Sequence, residues 1–251
     1  MQTRMPRFFY LYSHKIFLYL FILTVILQGF FWYKTENIKP QYDIVPAVPS
    51  PYFIRAASLG DNQFLFRILS FRIQNAGDIF AGFVALKKYD YSRLYNWWSL
   101  LDELDFKSNL LPALVSYYFS QTQNKEDVTY AIKYIQNRAN KDLNAKWWWL
   151  FQGSYLASNV MKNNALALEM AKQLSINTDP NAPLWTKQMY AFMNARYGND
   201  CVAFKVISDM IEEDKNGVRK FSASDMNFMR HFVNERLRNL KNKNFDPKKC
   251  K

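Results

Sequence analysis

Residues 146–155, KWWWLFQGSY, place three tryptophans side by side in a stretch whose apolar residues have helical spacing. Consecutive residues of an α-helix lie about 100° apart around the helix axis. Trp147, Trp148 and Trp149 therefore cannot all face the same core. At least one of the three rings must meet a different surface, and which one it is depends on how this helix packs against its neighbours.

The aromatic residues of this stretch recur at a fixed interval along the chain. Three columns of apolar residues share a 37-residue period. They are Leu111, Trp148 and Trp185; Tyr118, Tyr155 and Phe192; and Phe119, Leu156 and Met193. Between and after these stretches, Ala131, Ala167 and Ala203 lie where small residues let two helices approach closely. The period therefore predicts helical pairs repeated in tandem.

The chain from residue 52 onward has apolar residues at steps of three and four and no convincing strand alternation, which predicts an all-α body. Turn-forming residues such as Gly198 and Gly217 separate the helical stretches. The predicted helices are 52–76, 92–104, 109–121, 126–139, 145–160, 164–175, 183–197, 200–213 and 222–242. A helical repeat domain is thus predicted at 52–221, followed by a capping helix and basic tail at 222–251.

The helical pairs resemble the tetratricopeptide repeat (TPR), in which a large residue opens the first helix, a Tyr follows seven residues on and Ala lies in the second helix. The resemblance covers residues 108–213 in three units, with 62–105 as a degraded first unit. Gln152 departs from the family, which has Gly there, and the period exceeds the usual value of about 34 residues. Helical hairpins stacked in another way also fit the pattern. The resemblance implies an α-solenoid that binds proteins.

The resemblance also implies where a partner would bind, because the first helices of this family line a concave groove. With Trp148, Phe151 and Tyr155 packed inside their own hairpin, Trp147 meets the preceding unit and Trp149 faces the groove. The implied groove residues are Lys146, Trp149, Gly153, Leu156, Asn109, Ser116, Phe119, Tyr190 and Met193. Such a lining suits an apolar or neutral peptide. The alternative is that Trp149 is part of a wide core.

Residues 16–33 carry no charged side chain and would span about 27 Å as a helix, close to the hydrocarbon thickness of a bilayer. They predict a single transmembrane helix. A cleaved signal peptide and a buried helix are the alternatives. The bulky aromatics at 30–33 favour the anchor, because they are typical of a headgroup belt rather than of a cleavage site. No motif in the span predicts an oligomeric state.

The residues that flank the span predict its orientation. The short basic flank 1–15 contains three basic residues, whereas only Lys34 and Lys39 follow the span closely. This small excess predicts a cytoplasmic amino terminus and a body outside the cytoplasm, as in a bacterial inner-membrane protein. Four prolines within residues 34–51 predict an extended spacer between the span and the body.

The formal charge of +12 is concentrated at the ends of the chain. Residues 215–251 hold eleven basic and three acidic side chains, so the long middle is nearly neutral. The predicted basic surface consists of Arg230, Arg236, Arg238, Lys241, Lys248 and Lys249. This surface either solubilises the cap or attracts anionic lipid or another polyanion. Nucleic acid is not expected as a partner, because no aromatic stacking pattern accompanies the basic tail.

Residue types suited to catalysis or metal binding are scarce. Cys201 and Cys250 are expected to be free thiols, with a bridge as the alternative, and only two histidines occur, so neither a metal nor a cofactor is expected. The acidic cluster Asp102, Glu103 and Asp105 is expected to be a solvated helix end. No phosphate-binding loop or nucleophile elbow occurs, and the chain is not expected to be an enzyme.

Together these patterns predict a membrane-anchored helical-repeat scaffold or adaptor that binds a protein or peptide partner through a concave groove. The first alternative is an accessory factor that acts through its basic carboxyl-terminal end on anionic lipid or another polyanion. The second alternative is an envelope enzyme whose active site is assembled from residues distant in sequence.

Overall fold

The computed structural model describes residues 7–35, 43–79, 82–176, 182–242 and Cys250, and for residues 7–14 and Ile79 it describes the backbone only. The chain forms two compact units, Met1–Asp43 and Ile44–Lys251. Within the described residues it is helical apart from one hairpin with two residues in each strand. The prediction of a helical fold class is confirmed for this part of the chain.

The described residues of the first unit form one helix, α1 (Arg7–Thr35), with Asp43 at the boundary. Its segment Lys15–Thr35 has a mean hydropathy of 2.0, and none of it is buried within the protein. The segment is long and apolar enough to cross a membrane, a property that signal sequences share. The aromatic side chains at 30–33 are exposed. Residues 1–6 of the predicted basic flank lie outside the described part of the chain.

Two helices occupy the region predicted as a single helix at 52–76. They are α2 (Pro51–Ala57) and α3 (Asn62–Gln74). The break follows from Leu59 and Gly60, whose φ angles are 49° and 92°. Positive φ is incompatible with a continuing right-handed helix. Asp61 then caps α3 by accepting a hydrogen bond from the Phe64 backbone N–H at 2.9 Å.

A short connection joins α3 to the next long helix. Its elements are β1 (Asp78–Ile79), β2 (Gly82–Phe83), a 3₁₀ turn (Leu86–Lys88) and α4 (Tyr91–Leu104). The two strands pair antiparallel. Asp90 caps α4 by accepting a hydrogen bond from the Arg93 backbone N–H at 3.0 Å. This helix begins one residue before the predicted start at residue 92.

The second half of the predicted spacer 34–51 packs on the body, which corrects the expectation of a spacer over that half. Val45 is buried in the main hydrophobic core. Two side chains of α4 bind the backbone of this segment: Arg93 Nη1 donates to the Val45 carbonyl at 3.2 Å, and Trp97 Nε1 donates to the Pro46 carbonyl at 2.9 Å. These donors satisfy carbonyls that have no partner in a helix or sheet. Residues 36–42 lie outside the described residues.

The remaining helices lie within three residues of their predicted ends, apart from the first of them. They are α5 (Leu110–Ala113), α6 (Lys125–Lys141), α7 (Leu143–Asn159), α8 (Asn164–Ser175), α9 (Trp185–Arg196), α10 (Asp200–Lys215) and α11 (Ala223–Asn242). Asn124, Asp142 and Asn163 cap α6, α7 and α8 by accepting backbone hydrogen bonds from the first turn. These caps explain why the helix starts could be predicted.

The helical stretch predicted at 109–121 changes its geometry along its length. The short α5 is followed by a π-helical turn, Leu114–Tyr118, and by a 3₁₀ turn, Phe119–Gln121. Tyr91 of α4 donates from its hydroxyl to the Phe119 carbonyl at 2.6 Å, where the helical hydrogen-bond pattern shifts. A side chain from another helix thus satisfies one of the carbonyls at this irregular end.

Helices that follow one another in sequence also pack together from α6 to α11, and α4 packs on α6. A large hydrophobic core includes residues from Val45 to Met193, and a smaller core joins α9, α10 and α11. The predicted contact residues Ala131, Ala167 and Ala203 are fully buried. Their small side chains allow close helix packing, as the sequence predicted.

The carboxyl-terminal end of the body is held by a cap and a covalent bridge. The Asp225 backbone N–H donates to Ser222 Oγ at 3.1 Å, which caps the first turn of α11. Cys201 and Cys250 form a disulfide bridge, so the expectation of free thiols is wrong. The two Cα atoms lie 5.4 Å apart, a normal separation for a bridge.

Candidate partner-binding surface

α7 orients its three adjacent tryptophans in three directions. Trp149 points into the body, with only 6% of its surface exposed. Its Nε1 donates a hydrogen bond to Asn109 Oδ1 at 3.1 Å, and its ring meets that of Tyr117 edge-on at a centroid distance of 6.2 Å. Trp148 points outward and is 39% exposed. Trp147 is half-buried and packs against α9.

This orientation agrees with the alternative that Trp149 is part of a wide core, and it corrects the placement of Trp148 inside its hairpin and of Trp149 in an open groove. The predicted groove residues that are buried are Lys146, Trp149, Gly153, Leu156, Ser116, Phe119 and Met193. Asn109 is exposed and Tyr190 is half-buried. The residues predicted to line the groove therefore do not form an open surface. The reason is that α7 packs against both α6 and α8, which leaves this side of the helix covered.

Gly153 shows how closely the covered side is packed. A Cβ atom built at Gly153 would overlap Cε of Met170 in α8 and would lie 3.2 Å from Cγ2 of Ile135 in α6. The missing side chain therefore admits two neighbouring helices, not the backbone of a partner. A glycine within an otherwise apolar helical face was the signal in the sequence that could have indicated this contact.

The outward side of α7 forms a continuous aromatic cluster with α9. The ring of Phe151 lies 5.4 Å from that of Trp148 and 4.9 Å from that of Trp185, between centroids. Trp147 contacts Trp148 and Trp185 edge-on at 5.9 and 5.7 Å. With two exposed tyrosines these rings define the aromatic face, which consists of Tyr117, Trp147, Trp148, Phe151, Tyr155 and Trp185. Edge-to-face contacts of this kind hold the rings in fixed positions.

The two tyrosines extend the aromatic face beyond this cluster. Trp148 Nε1 donates to the Tyr117 hydroxyl at 3.1 Å, so both rings are fixed although both are exposed. Tyr155 lies about two helical turns after Trp148 on the same side of α7. Two repeat columns thus differ from their predicted roles, although Leu111 of the first is buried as predicted. The column assigned to the hairpin interior supplies Trp148 and Trp185, and the column of Phe119, Leu156 and Met193 is core.

A buried polar network fixes the loop between α4 and α5. Arg138 of α6 forms an ion pair with Asp102 of α4. Its Nη2 also donates to the carbonyls of Phe106 and Ser108 at 2.5 and 2.6 Å. The Tyr134 hydroxyl donates to Asp102 Oδ1 at 2.8 Å. The prediction that Asp102 is solvated is therefore wrong, because a cation distant in sequence neutralises it inside the body.

Burial sets the ionisation of this network. The loss of water around it lowers the pKa of Arg138 to about 10 and raises the pKa of Tyr134 well above its usual value. Arg138 stays charged and Tyr134 stays protonated at neutral pH, as their hydrogen bonds require. Removing one partner of a buried ion pair costs about 3–5 kcal/mol, so this network has a structural role.

Lys146 belongs to the same loop contacts and is not a groove cation. Its Nζ donates to the Lys107 carbonyl at 3.0 Å and to Asn109 Oδ1 at 3.2 Å. Burial, and then the positive charge of Arg138, lower the pKa of Lys146. Asn109 accepts hydrogen bonds from both Lys146 and Trp149, and it thereby joins α7 to the loop before α5.

A cavity of about 370 Å³ opens between α4 and α6 beside this network. It is lined by Tyr95, Ser99, Asp102, Tyr134, Asn137, Arg138, Asn140 and Lys141. Asp102 and Arg138 neutralise each other there, which is a structural arrangement rather than an acid and base poised for proton transfer. Among the residues that the structure describes, no group of three or more His, Cys, Asp or Glu side chains is placed to hold a metal ion.

The structure describes four of the six residues predicted to form a basic surface. Arg230, Arg238 and Lys241 are exposed on α11. Arg236 instead pairs with Asp200 of α10 at 3.2 Å and with Glu235 at 2.7 Å, so it contributes to helix packing and not to a free basic surface. Lys248 and Lys249 lie outside the described residues.

Comparisons with known proteins give no relative for this chain. No protein-family model, no curated protein and no solved structure matches it.

Proposed function

We propose that this protein is a membrane-anchored helical-repeat scaffold or adaptor that binds a protein or peptide partner through the aromatic face. In this proposal α1 is the anchor, the helical pairs form a TPR-like solenoid, and α7 and α9 present the binding surface. The observation that carries the proposal is a fixed cluster of rings, in which the half-buried Phe151 and Trp185 support the exposed Trp148.

Exposed clusters of this composition are typical of protein interfaces. Trp and Tyr dominate the binding energy of many interfaces, because each buries a large area and has few side-chain torsions to order. Trp148 is already held by its hydrogen bond to Tyr117 and by its contact with Phe151, so a partner would have little ordering to impose. Indole N–H and phenol groups at the edges suit a partner with apolar groups and a few neutral polar ones.

Sequential packing supports the repeat arrangement. Each helix from α6 to α11 packs on the next, and small residues lie at the buried contacts, as stacked helical hairpins require. Gln152 still departs from the TPR pattern, so the family assignment is part of the proposal. Helical hairpins stacked in another way would present the same aromatic face, and the binding role does not depend on the family.

The disulfide bridge supports the proposed location of the body. Disulfides persist in oxidising compartments and are rare in the cytosol. The bridge between Cys201 and Cys250 therefore agrees with a body outside the cytoplasm, which the basic residues before the span also favour. In a bacterial envelope this corresponds to a single-pass inner-membrane protein with a periplasmic body.

A second candidate function is contact between the carboxyl-terminal end and anionic lipid or another polyanion. It draws support from the exposed cations Arg230, Arg238 and Lys241 on α11. It is weakened by Arg236, whose charge is taken up by Asp200 and Glu235. If this candidate is correct, the triple variant Arg230→Gln, Arg238→Gln and Lys241→Gln should reduce the preference of the full chain for vesicles that contain anionic lipid.

Photocrosslinking in cells that make the protein tests the aromatic face. The photoreactive substitution Tyr155→benzoylphenylalanine is expected to capture a partner of one constant mass, and Tyr117→benzoylphenylalanine is expected to capture the same species. Tyr130 is the matched control, because it is an exposed tyrosine on α6 outside the aromatic face. The same photoreactive substitution at Tyr130 should give no such product.

A second substitution shows whether the partner depends on the central ring. Trp148→Ala is combined with Tyr155→benzoylphenylalanine in one variant. It should weaken partner binding about 30-fold, since a central Trp anchor contributes about 2 kcal/mol or more to the binding free energy. A crosslinked product that persists undiminished with Trp148→Ala, or that forms equally from Tyr130, would show that the aromatic face is not the binding surface.

The orientation is tested separately from partner binding. An alkaline phosphatase fusion at the carboxyl terminus is active only outside the cytoplasm, so an active fusion is the expected result. A fusion that is inactive, with an active cytoplasmic reporter at the same position, would reverse the proposed topology and leave the aromatic face proposal unaffected.

A further inference from the structure

α3 carries large apolar side chains on two sides, and only one side is covered. Its inner side contributes Phe66 and Ile73 to the core. On its other side Phe64, Ile68 and Phe71 recur at steps of four and three and are 62%, 46% and 69% exposed. These three residues form the α3 outer face. A helix side that faces water normally carries polar residues, so an exposed apolar stripe of this kind indicates a contact surface.

Basic side chains border the α3 outer face on both sides. On a helical wheel Arg67 lies about 60° to one side of Phe64, and Arg72 lies about 80° to the other side. Both arginines are exposed. The helix contains no acidic residue, and the acid next to it, Asp61, is its amino-terminal cap. An apolar aromatic stripe between basic residues is typical of helices that lie in the headgroup region of a membrane.

The chain connection limits the distance between the end of the candidate membrane span and the first residue of the second unit. α1 ends at Thr35, and Ile44 is already the first residue of the second unit. Nine residue steps of extended chain reach at most about 30 Å. Because the segment around Val45 packs on α4, the second half of the predicted spacer adds nothing to this reach.

We infer that the α3 outer face binds the surface of a membrane that contains anionic lipids. Phe64, Ile68 and Phe71 enter the headgroup region, where aromatic and apolar side chains are favoured, and Arg67 and Arg72 extend to the lipid phosphates. The positive border complements anionic headgroups. The inference rests on the proposed anchor, which brings the body to the bilayer, and it adds a second contact that limits rotation of the body about its tether.

Depth-resolved quenching with the full chain in vesicles tests this contact. The fluorophore NBD is attached to the Phe71→Cys variant; the two native cysteines are joined in the bridge and do not compete for the label. In vesicles of phosphatidylcholine with phosphatidylglycerol, we expect blue-shifted emission and strong quenching by lipids that carry a nitroxide near the headgroup. Lys205→Cys on α10, also exposed, is the matched control and should show neither.

A third probe separates failure of this inference from failure of the proposed anchor. Ile22→Cys in α1 reports whether the span enters the bilayer. Quenching at Ile22 without quenching at Phe71 would overturn the inference and leave the anchor intact, whereas quenching at Phe71 alone would support the lipid contact and overturn the anchor. A Phe71 probe that is shielded from aqueous iodide but not quenched by lipid would identify a second copy or another protein as the occupant, which also overturns the inference.

The role of the basic border is tested by the double variant Arg67→Gln and Arg72→Gln. Both side chains are exposed, so the fold measured by circular dichroism should be unchanged. Quenching at the Phe71 probe should fall several-fold in vesicles with phosphatidylglycerol and should become independent of that lipid. Unchanged quenching would overturn the assignment of anionic lipid as the ligand.

Discussion

Each of the two sides of α7 carries a tryptophan, but one tryptophan is buried and the other is exposed. Trp149 is enclosed and donates to Asn109, whereas its neighbour Trp148 is exposed and donates to Tyr117. On the inner side Gly153 has no side chain, so two helices approach closely there, while the outer side carries the large ring of Tyr155 about two turns after Trp148. Aromatic content therefore does not separate core from surface in this protein. The separation depends on which neighbouring helices leave room for each ring.

The largest expected difference between the two sides is in stability. Trp149→Ala should lower the free energy of unfolding by about 3–5 kcal/mol, because it leaves a cavity in the body. Trp148→Ala should lower it by about 1 kcal/mol or less, since partly exposed residues contribute less. Urea unfolding of the full chain, followed by circular dichroism, measures both. Equal losses would contradict the orientation of α7.

Added volume sharpens the same comparison. Gly153→Leu should destabilise the protein by about 1–3 kcal/mol, because a side chain there must displace Met170 and Ile135. Tyr155→Leu on the outer side should change the stability by about 0.5 kcal/mol or less. The same unfolding experiment applies. A stable Gly153→Leu variant would mean that this side of α7 has free space.

The interior also predicts a response to alkaline pH. Burial holds the pKa of Tyr134 well above its usual value of 10.0, so the folded chain keeps this proton where the unfolded chain has lost it. The contribution of Tyr134 to the free energy of unfolding should therefore fall as the pH rises above about 10, by at most about 1.4 kcal/mol per pH unit. Tyr134→Phe removes this contribution, so the slope of the unfolding free energy against pH above about 10 should become less negative. An unchanged slope would contradict the burial of this hydroxyl.

The smallest expected effect concerns single hydrogen bonds. Trp149→Phe keeps an aromatic ring but removes the donor to Asn109, and it should cost about 1–2 kcal/mol. Trp148→Phe removes the donor to the exposed Tyr117 and should cost about 0.5 kcal/mol or less, because water replaces it. A larger loss from Trp148→Phe would reverse the comparison between the two sides.

The sequence predicts most of the helices because their signals are local. Apolar steps of three and four mark each helix, and caps such as Asp142 and Asn163 mark its start. The break between α2 and α3 depends on the positive φ of Leu59, which residue type does not indicate. The packing of Val45 depends on donors in α4, far along the chain, so the sequence predicts only its extended form.

The candidate site could be predicted only in part. The 37-residue period identifies two rings of the aromatic face, those of Trp148 and Trp185. It does not give the rotation of α7, because apolar residues surround this helix and its two sides have nearly equal hydrophobicity. The ion pair between Asp102 and Arg138 could not be predicted either, because it forms only where α4 packs on α6 and the two residues are distant in sequence.

The bridge between Cys201 and Cys250 makes the order of synthesis matter for the last part of the body. The two cysteines are 49 residues apart, and the loop that they close contains all of α11. A growing chain can form this bridge only after Cys250, which follows α11, has been synthesised and an oxidant has reached the two thiols. In a cell with too little oxidant, α10 and α11 would therefore fold without the disulfide bridge. The tryptophan-bearing helices α7 and α9 precede them in the chain and would not be affected in this way.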